Sequence, residues 1–182
     1  ARSCSRPFGS AGITYLHFAH EDLRRDREVV LEAVKQSGWF LQFASADLRC
    51  DREVVREAVK QNWNVLSCGR VDFRNDREFV REAVKQDGKA LRLAHPDLQR
   101  DPEIVREVVM QNGDALAFAH ANLRRDREVV LEAVRQHGHA LQIAHADLQN
   151  DREVVFEAAR RGGFPALLHA GLALRYDPAM HP

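Results

Sequence analysis

The sequence predicts an all-α fold, an α-solenoid of six 25-residue helix-pair repeats with a partial N-terminal repeat and a C-terminal cap. Two observations carry this prediction. An acidic tripeptide, Asp-Arg-Glu or a close variant, recurs every 25 residues, at Asp26, Asp51, Asp76, Asp101, Asp126 and Asp151. Apolar residues between these aspartates follow helical spacing, and no strand-like alternation is present.

Each repeat is predicted to begin with a helix of about three turns that starts at its aspartate. Pro102 directly follows Asp101, and proline is favoured at the first helical position, which marks the aspartate as the N-cap. A glycine such as Gly138 is expected to end the helix in the left-handed conformation. The buried face of the first copy is predicted to consist of Val29, Val30, Ala33 and Val34.

A second, shorter helix is expected around Leu41, followed by a turn at Asp47 and Leu48. One such repeat buries too few side chains to fold alone, so neighbouring repeats must cover each other's apolar faces. We therefore expect an N-terminal tail over residues 1–11 and a repeat domain over residues 12–175. A C-terminal cap and tail is expected over residues 164–182, overlapping the last repeat.

Composition excludes several classes of protein. The 182 residues hold 27 Lys and Arg against 27 Asp and Glu, and a net charge of zero argues against a dedicated nucleic-acid-binding protein. No apolar run is long enough to cross a membrane, which leaves peripheral association open. Cys4, Cys50 and Cys68 are odd in number and lack metal-type spacing, so neither a disulfide framework nor a zinc site is predicted.

No enzyme is predicted, because nucleophile, phosphate-binding and H-E-x-x-H motifs are all missing from the sequence. The repeated acids are explained as helix caps and as partners of basic residues three positions later. Four histidines share one repeat position, where they are expected to end the second helix and either bond free carbonyls or interact with the negative end of the helix dipole: His20, His95, His120 and His145. We therefore expect no catalytic residue, cofactor or metal.

Positions that vary within a fixed framework are typical of a recognition surface. One such position reads Leu31, Arg56, Arg81, Arg106, Leu131 and Phe156. Its three arginines are either solvated charges or a row that pairs with the carboxylates of an acidic partner segment. The candidate partner-binding residues are Arg56, Arg81, Arg106, Trp63 and Arg70.

The second repeat departs most from the others. Trp63 replaces the capping glycine, so this helix is expected to end differently, and Arg70 stands where most copies have histidine. Trp63 either fills a local gap or anchors a partner.

The pattern DREVVLEAVKQSG followed by ALxxAHxDLRN resembles a repeat family known as domain of unknown function 4116, over about residues 12–175. The resemblance implies a helical array with no catalytic residues and a family abundant in algae and other protists, dinoflagellates especially. It suggests an intracellular protein, with a plastid or another organelle as one location. Ala1 begins a stretch without acidic residues before Glu21, which is either the remnant of a targeting peptide or an arbitrary start.

The expected function is a non-enzymatic scaffold or accessory subunit that mediates protein–protein interaction in a larger assembly, a plastid photosystem complex being one example. The alternative is an RNA-binding helical-repeat protein, since such arrays can read one base per repeat. A second variable position is too mixed in residue type to favour RNA: Trp39, Asn64, Lys89, Asp114, His139 and Phe164.

Overall fold

The computed structural model describes residues 20–68 and 71–178, and these residues form helices and connecting turns without any strand. The chain divides into two compact units, Ala1–Phe73 and Arg74–Pro182. Helices of the first unit are α1 (Glu21–Arg25), α2 (Arg27–Gln36), α3 (Arg52–Gln61) and α4 (Val71–Arg74), whose last residue opens the second unit. Three 3₁₀ helices accompany them, Gly38–Phe43, Leu48–Cys50 and Trp63–Ser67. The expected tail over residues 1–11 lies outside the described residues.

The second unit continues the same pattern. Its α-helices are α5 (Arg77–Gln86), α6 (Pro96–Gln99), α7 (Pro102–Gln111), α8 (Arg127–Gln136), α9 (Ala146–Gln149), α10 (Arg152–Gly162), α11 (Phe164–Leu167) and α12 (Leu172–Arg175). Its 3₁₀ helices are Gly88–Leu93, Gly113–Phe118, Leu123–Arg125 and Gly138–Ile143.

The predicted repeats are confirmed. Every first helix starts one residue after its aspartate, and five of these helices are ten residues long. The second helix of the repeat is a 3₁₀ helix in most copies, and the segment expected to be a turn carries a further short helix. Within the second unit, α7 packs against α8 and α8 against α10, so consecutive first helices are neighbours.

Capping and burial follow the repeat. The Asp151 carboxylate accepts hydrogen bonds from the N–H groups of Glu153 and Val154 at 3.0 and 3.1 Å, and the other described caps do the same. The buried residues of α3 are Val54, Val55, Ala58 and Val59, at the third, fourth, seventh and eighth positions after the cap. This stripe faces the neighbouring helices and makes up most of the core.

The expectation that a left-handed glycine ends each helix is wrong. The first helix ends at a residue with extended backbone, such as His137, and the glycine that follows starts the 3₁₀ helix. Among the described residues only Gly163, the C-cap of α10, has a positive φ, of 62°, so the prediction holds for the last repeat alone. A Cβ atom on Gly113 would lie 2.3 Å from the carbonyl oxygen of Ala133 in the next first helix. The glycine is therefore required by the close approach of the following repeat.

Gly113→Ala should lower the free energy of unfolding by about 3 kcal/mol, because the rigid Ala133 backbone cannot move away from the added methyl group. Gly88→Ala is the matched control: the atoms nearest to its Cβ would belong to side chains, those of Val108, Ala115 and Asn112, at 2.9, 3.0 and 4.0 Å. It should cost about 1 kcal/mol. Urea denaturation followed by circular dichroism measures both, and equal losses would contradict the close-approach explanation.

Hydrogen bonds connect successive repeats at a constant spacing. In the second unit, the N–H of His120 donates to the carbonyl of Gln99 at 3.0 Å, and that of His145 to Arg124 at 2.9 Å. Ser45 makes the same bond to Arg24 in the first unit, at 2.9 Å. Because each bond satisfies backbone groups at two repeat ends, it fixes the register between them.

An arginine ladder adds side-chain connections that the sequence alone did not indicate. Arg127 donates through Nε to the capping carboxylate of Asp151 at 3.0 Å and through Nη2 to Glu153. Arg27 makes the equivalent pair of bonds to Asp51 and Glu53 in the first unit. At the start of α7 this position is occupied by Pro102, which cannot take part. A capping aspartate thus serves its own helix and the preceding repeat together.

These bonds shift the pKa of the capping carboxyls. The hydrogen bond from Arg27 holds the pKa of Asp51 below its usual value. Partial burial alone would raise the pKa of Asp151, but the bonds from Arg127 and from the backbone outweigh it and lower the pKa. A carboxyl with a lowered folded-state pKa contributes stability above its unfolded pKa of about 3.9, and loses it as pH falls through the folded value.

Asp151→Ala should therefore cost about 2 kcal/mol at pH 7, since it removes both the cap and the Arg127 pair. The difference from the wild type should shrink as pH falls below about 4. In the repeat before Asp126, the ladder position is occupied by Pro102, so no ladder arginine pairs with Asp126. Asp126→Ala therefore removes only a cap and should cost about 1 kcal/mol. Unfolding curves at pH 7 and pH 3 test this, and equal costs at pH 7 would contradict a double role for Asp151.

Candidate protein-docking surface

The predicted arginines occupy one register position on first helices. Arg81 lies on α5 and Arg106 on α7 in the second unit, and Arg56 lies on α3 in the first, all three exposed. Arg70 lies outside the described residues. Only Arg81 and Arg106 can therefore be treated as parts of one surface.

Both of these arginines already pair with a glutamate of the following repeat. Arg81 donates through Nε to Oε2 of Glu107 at 2.8 Å, and Arg106 donates through Nη2 to Glu128. The Glu107 carboxylate raises the pKa of Arg81. Exposed ion pairs of this kind contribute about 0–1 kcal/mol, so a partner carboxylate could replace the internal one at little cost.

Next to Arg106, a shallow open groove of about 450 Å³ runs between α7 and α8. Six residues line it: Arg106, Met110, Glu128, Leu131, Glu132 and Arg135. Met110 is 58% exposed and Leu131 is 7% exposed, so the groove has an apolar floor with one accessible side chain. The pairs Arg106–Glu128 and Arg135–Glu132, the latter at 3.8 Å, border this floor.

Two departures from the repeat pattern create the groove. Met110 stands where neighbouring repeats have Lys85 and Arg135, and Leu131 stands where the preceding repeat has Arg106 and the following one has Phe156. Both departures are visible in the sequence, where they belong to different repeats. Only the packing of α7 against α8 brings them together, which is why Met110 is missing from the sequence-based candidates and Leu131 appears there only as a member of the variable position.

An apolar floor bordered by both signs of charge suits an apolar side chain of another protein, with polar groups at its edge. Within residues 20–68 and 71–178, no three His, Cys, Asp or Glu side chains are placed to hold a metal ion. A small group of polar side chains surrounds His139. Its Nε2 lies 3.4 Å from Asp114 Oδ1, and its ring stacks on the ring of His137. This arrangement is a surface contact between neighbouring repeats.

Trp63 does not change the end of its helix, and that expectation is wrong. α3 ends at Gln61, and the N–H of Asn62 donates to the Ala58 carbonyl as in the other repeats. The backbone here is extended and free of strain, because this position never required a left-handed residue. Trp63 itself is half-buried at the start of a 3₁₀ helix, so both of its predicted roles stay open.

The histidine position also differs from the expectation. His95 and His145 are N-caps of the following short helix, and their Nδ1 atoms accept from the N–H groups of Asp97 and Asp147 at 3.3 Å. The carbonyls expected to be bound by histidine are instead bound by the glutamine that ends this short helix. Gln149 Nε2 donates to the carbonyls of Leu141, Gln142 and Ala144. Histidine and glutamine at these positions therefore hold the repeat together.

In the part of the chain that the structure describes, none of the helices combines the length and the apolar character needed to cross a membrane. The family model described as Domain of unknown function (DUF4116) matches the chain six times, over residues 8–49, 26–74, 51–99, 76–124, 101–149 and 126–175. The matches overlap, and each covers about two of the repeats defined by the aspartates. No curated protein and no solved structure matches the chain.

Proposed function

Since the chain belongs to the DUF4116 family, whose description assigns no activity, we propose from its surface that it is a non-enzymatic docking module. Its role is that of a scaffold or accessory subunit in a larger protein assembly. The observation that carries this proposal is the groove between α7 and α8, where Met110 is exposed among paired charges.

The groove supports protein binding more than small-molecule binding. It is open and shallow, whereas small-molecule sites enclose most of their ligand. An exposed methionine adapts its shape to different apolar partners and is common on protein-binding surfaces. A partner segment would place an apolar side chain against Met110 and Leu131.

The charges beside the groove favour an acidic partner segment. Arg81 and Arg106 lie at equivalent positions on α5 and α7, and each pairs with a glutamate of the following repeat, half-buried Glu107 and exposed Glu128. A partner carboxylate would form the same charge-assisted hydrogen bonds with these arginines. The partner would therefore combine one apolar anchor with acidic residues on the side of α5.

The assembly that contains the chain is inferred from the family. The family is abundant in algae and other protists, which favours a location in an organelle. A plastid photosystem complex is one example of such an assembly.

Met110→Lys tests the groove. Lysine occupies the equivalent position in the preceding repeat, at Lys85, so the substitution should leave folding unchanged. It should weaken association with the native complex at least tenfold, because it places a solvated charge on the apolar floor. The measurement is the stoichiometry at which the tagged chain co-purifies with its complex.

The double variant Arg81→Glu, Arg106→Glu should give a similar loss. Arg92→Glu changes another exposed arginine, in the 3₁₀ helix Gly88–Leu93, and is the matched control for charge reversal. Unchanged stoichiometry for Met110→Lys and for the double variant would place the docking surface elsewhere.

RNA binding is the second candidate, favoured only by the repeated helical architecture. The repeat position at which an RNA base would be read is occupied in three successive repeats by Lys89, Asp114 and His139. Asp114 pairs with His139. A carboxylate at this position repels phosphate. Filter-binding titrations with single-stranded RNA at low and moderate salt should therefore show no binding that saturates, and saturable binding that weakens with salt would favour this second function.

A further inference from the structure

The arginine ladder shows which ligand a capping aspartate and the glutamate two residues later bind together. Arg127 donates through Nε to Oδ2 of Asp151 at 3.0 Å and through Nη2 to Glu153. Two further carboxylate pairs hold an arginine in this way: Asp51 and Glu53 hold Arg27, and Asp101 and Glu103 hold Arg77. Because one planar guanidinium spans both carboxylates, this arrangement selects arginine.

One equivalent pair of carboxylates has no ladder arginine. Asp126 and Glu128 form this pair at the start of α8, and the ladder position before them is Pro102, whose ring carries no donor. Among the residues that the structure describes, the Asp126 carboxylate accepts only from the N–H groups of Glu128 and Val129, both through Oδ1. Oδ2 is the atom that accepts from the arginine in the equivalent aspartates.

The start of α8 has the geometry of the helix starts that hold an arginine. The φ and ψ angles are −75° and 116° at Asp126, and −77° and 118° at Asp151. α8 packs against α7 as α10 packs against α8. The carboxylates of Asp126 and Glu128 are therefore placed like a pair that binds a guanidinium.

Glu128 is bonded instead by Arg106, which lies at a different position of the preceding repeat. One repeat earlier, the equivalent Arg81 bonds Glu107. Arg106 thus bonds Glu128 rather than Glu132, which is the counterpart of Glu107. Glu128 and Arg106 both line the groove between α7 and α8, so the carboxylate pair adjoins this groove.

We propose that Asp126 and Glu128 bind an arginine side chain of the partner protein, held as Arg127 is held by the next repeat. The partner's guanidinium bonds both carboxylates, and Arg106 is released from Glu128 to a carboxylate of the partner. A partner lysine is disfavoured, because its single nitrogen does not match the two-carboxylate geometry. The inference rests on the proposed docking function and deepens it, since the partner segment carries an arginine beside its apolar anchor.

The arginine site is tested first without the partner. N-acetyl-arginine amide is titrated into the isotope-labelled full chain, and NMR follows the backbone amides of Glu128 and Val129, which bond the Asp126 carboxylate. Their chemical shifts should change saturably, and N-acetyl-lysine amide should bind about threefold more weakly or worse. The amides after Asp151, which already holds Arg127, are the internal control and should not shift.

The variant Pro102→Arg supplies the arginine from the chain itself and should abolish these shifts. It should also melt at a higher temperature than Pro102→Ala, the matched control that removes the proline without adding a guanidinium. Asp126→Asn keeps a good N-cap and should lose the shifts through its missing charge. No shifts at any cap, equal shifts after Asp126 and Asp151, or shifts that persist in Pro102→Arg would each overturn the proposal.

Co-purification with the native complex separates the arginine site from docking itself. Pro102→Arg should lower the associated fraction about tenfold relative to Pro102→Ala, because the partner's arginine is left unpaired at the interface. If Met110→Lys weakens association and Pro102→Arg does not, docking stands and arginine recognition is overturned. If Pro102→Arg weakens association and Met110→Lys does not, arginine recognition stands and the groove is not the docking surface.

Discussion

The contact between the glycine of one repeat and the alanine carbonyl of the next first helix is the constraint on which the packing depends. At Gly38, Gly113 and Gly138 a Cβ atom would lie 2.3 Å from that carbonyl oxygen. At these three repeats the helices approach so closely because the first residue of the 3₁₀ helix has no side chain. The buried stripe, the backbone bonds between repeats and the arginine ladder are formed by the same neighbouring helices.

This constraint leaves the outer positions of the first helices free to vary. Capping aspartate and buried apolar residues are fixed by folding, so differences between repeats are concentrated at sites such as Met110, Leu131 and Phe156. The groove between α7 and α8 arises in this way, because Met110 and Leu131 are apolar at positions where Lys85 and Arg106 of the preceding repeats carry charge.

The sequence was sufficient to predict the repeats, their boundaries and their capping aspartates, because these depend on local spacing. It was misleading for the glycine and for the histidine position, since both roles depend on which group of another segment lies opposite. The predicted pairs of glutamate with a basic residue three positions later are present at Glu32–Lys35 and Glu157–Arg160. The bonds from Arg81 and Arg127 to the following repeat could not be predicted, because the sequence does not reveal how helices are offset. The groove depends on the same offset.

The ladder of bonds between repeats also bears on how the chain folds. Its ion pairs connect residues only 22 to 26 positions apart, in a chain of 182 residues. Low sequence separation of contacts shortens the search for the native state and makes folding fast. Within a unit, packing can start at any adjacent pair of repeats and spread outward. During synthesis, each repeat can therefore be captured by the one before it as soon as its glycine and first helix have left the ribosome.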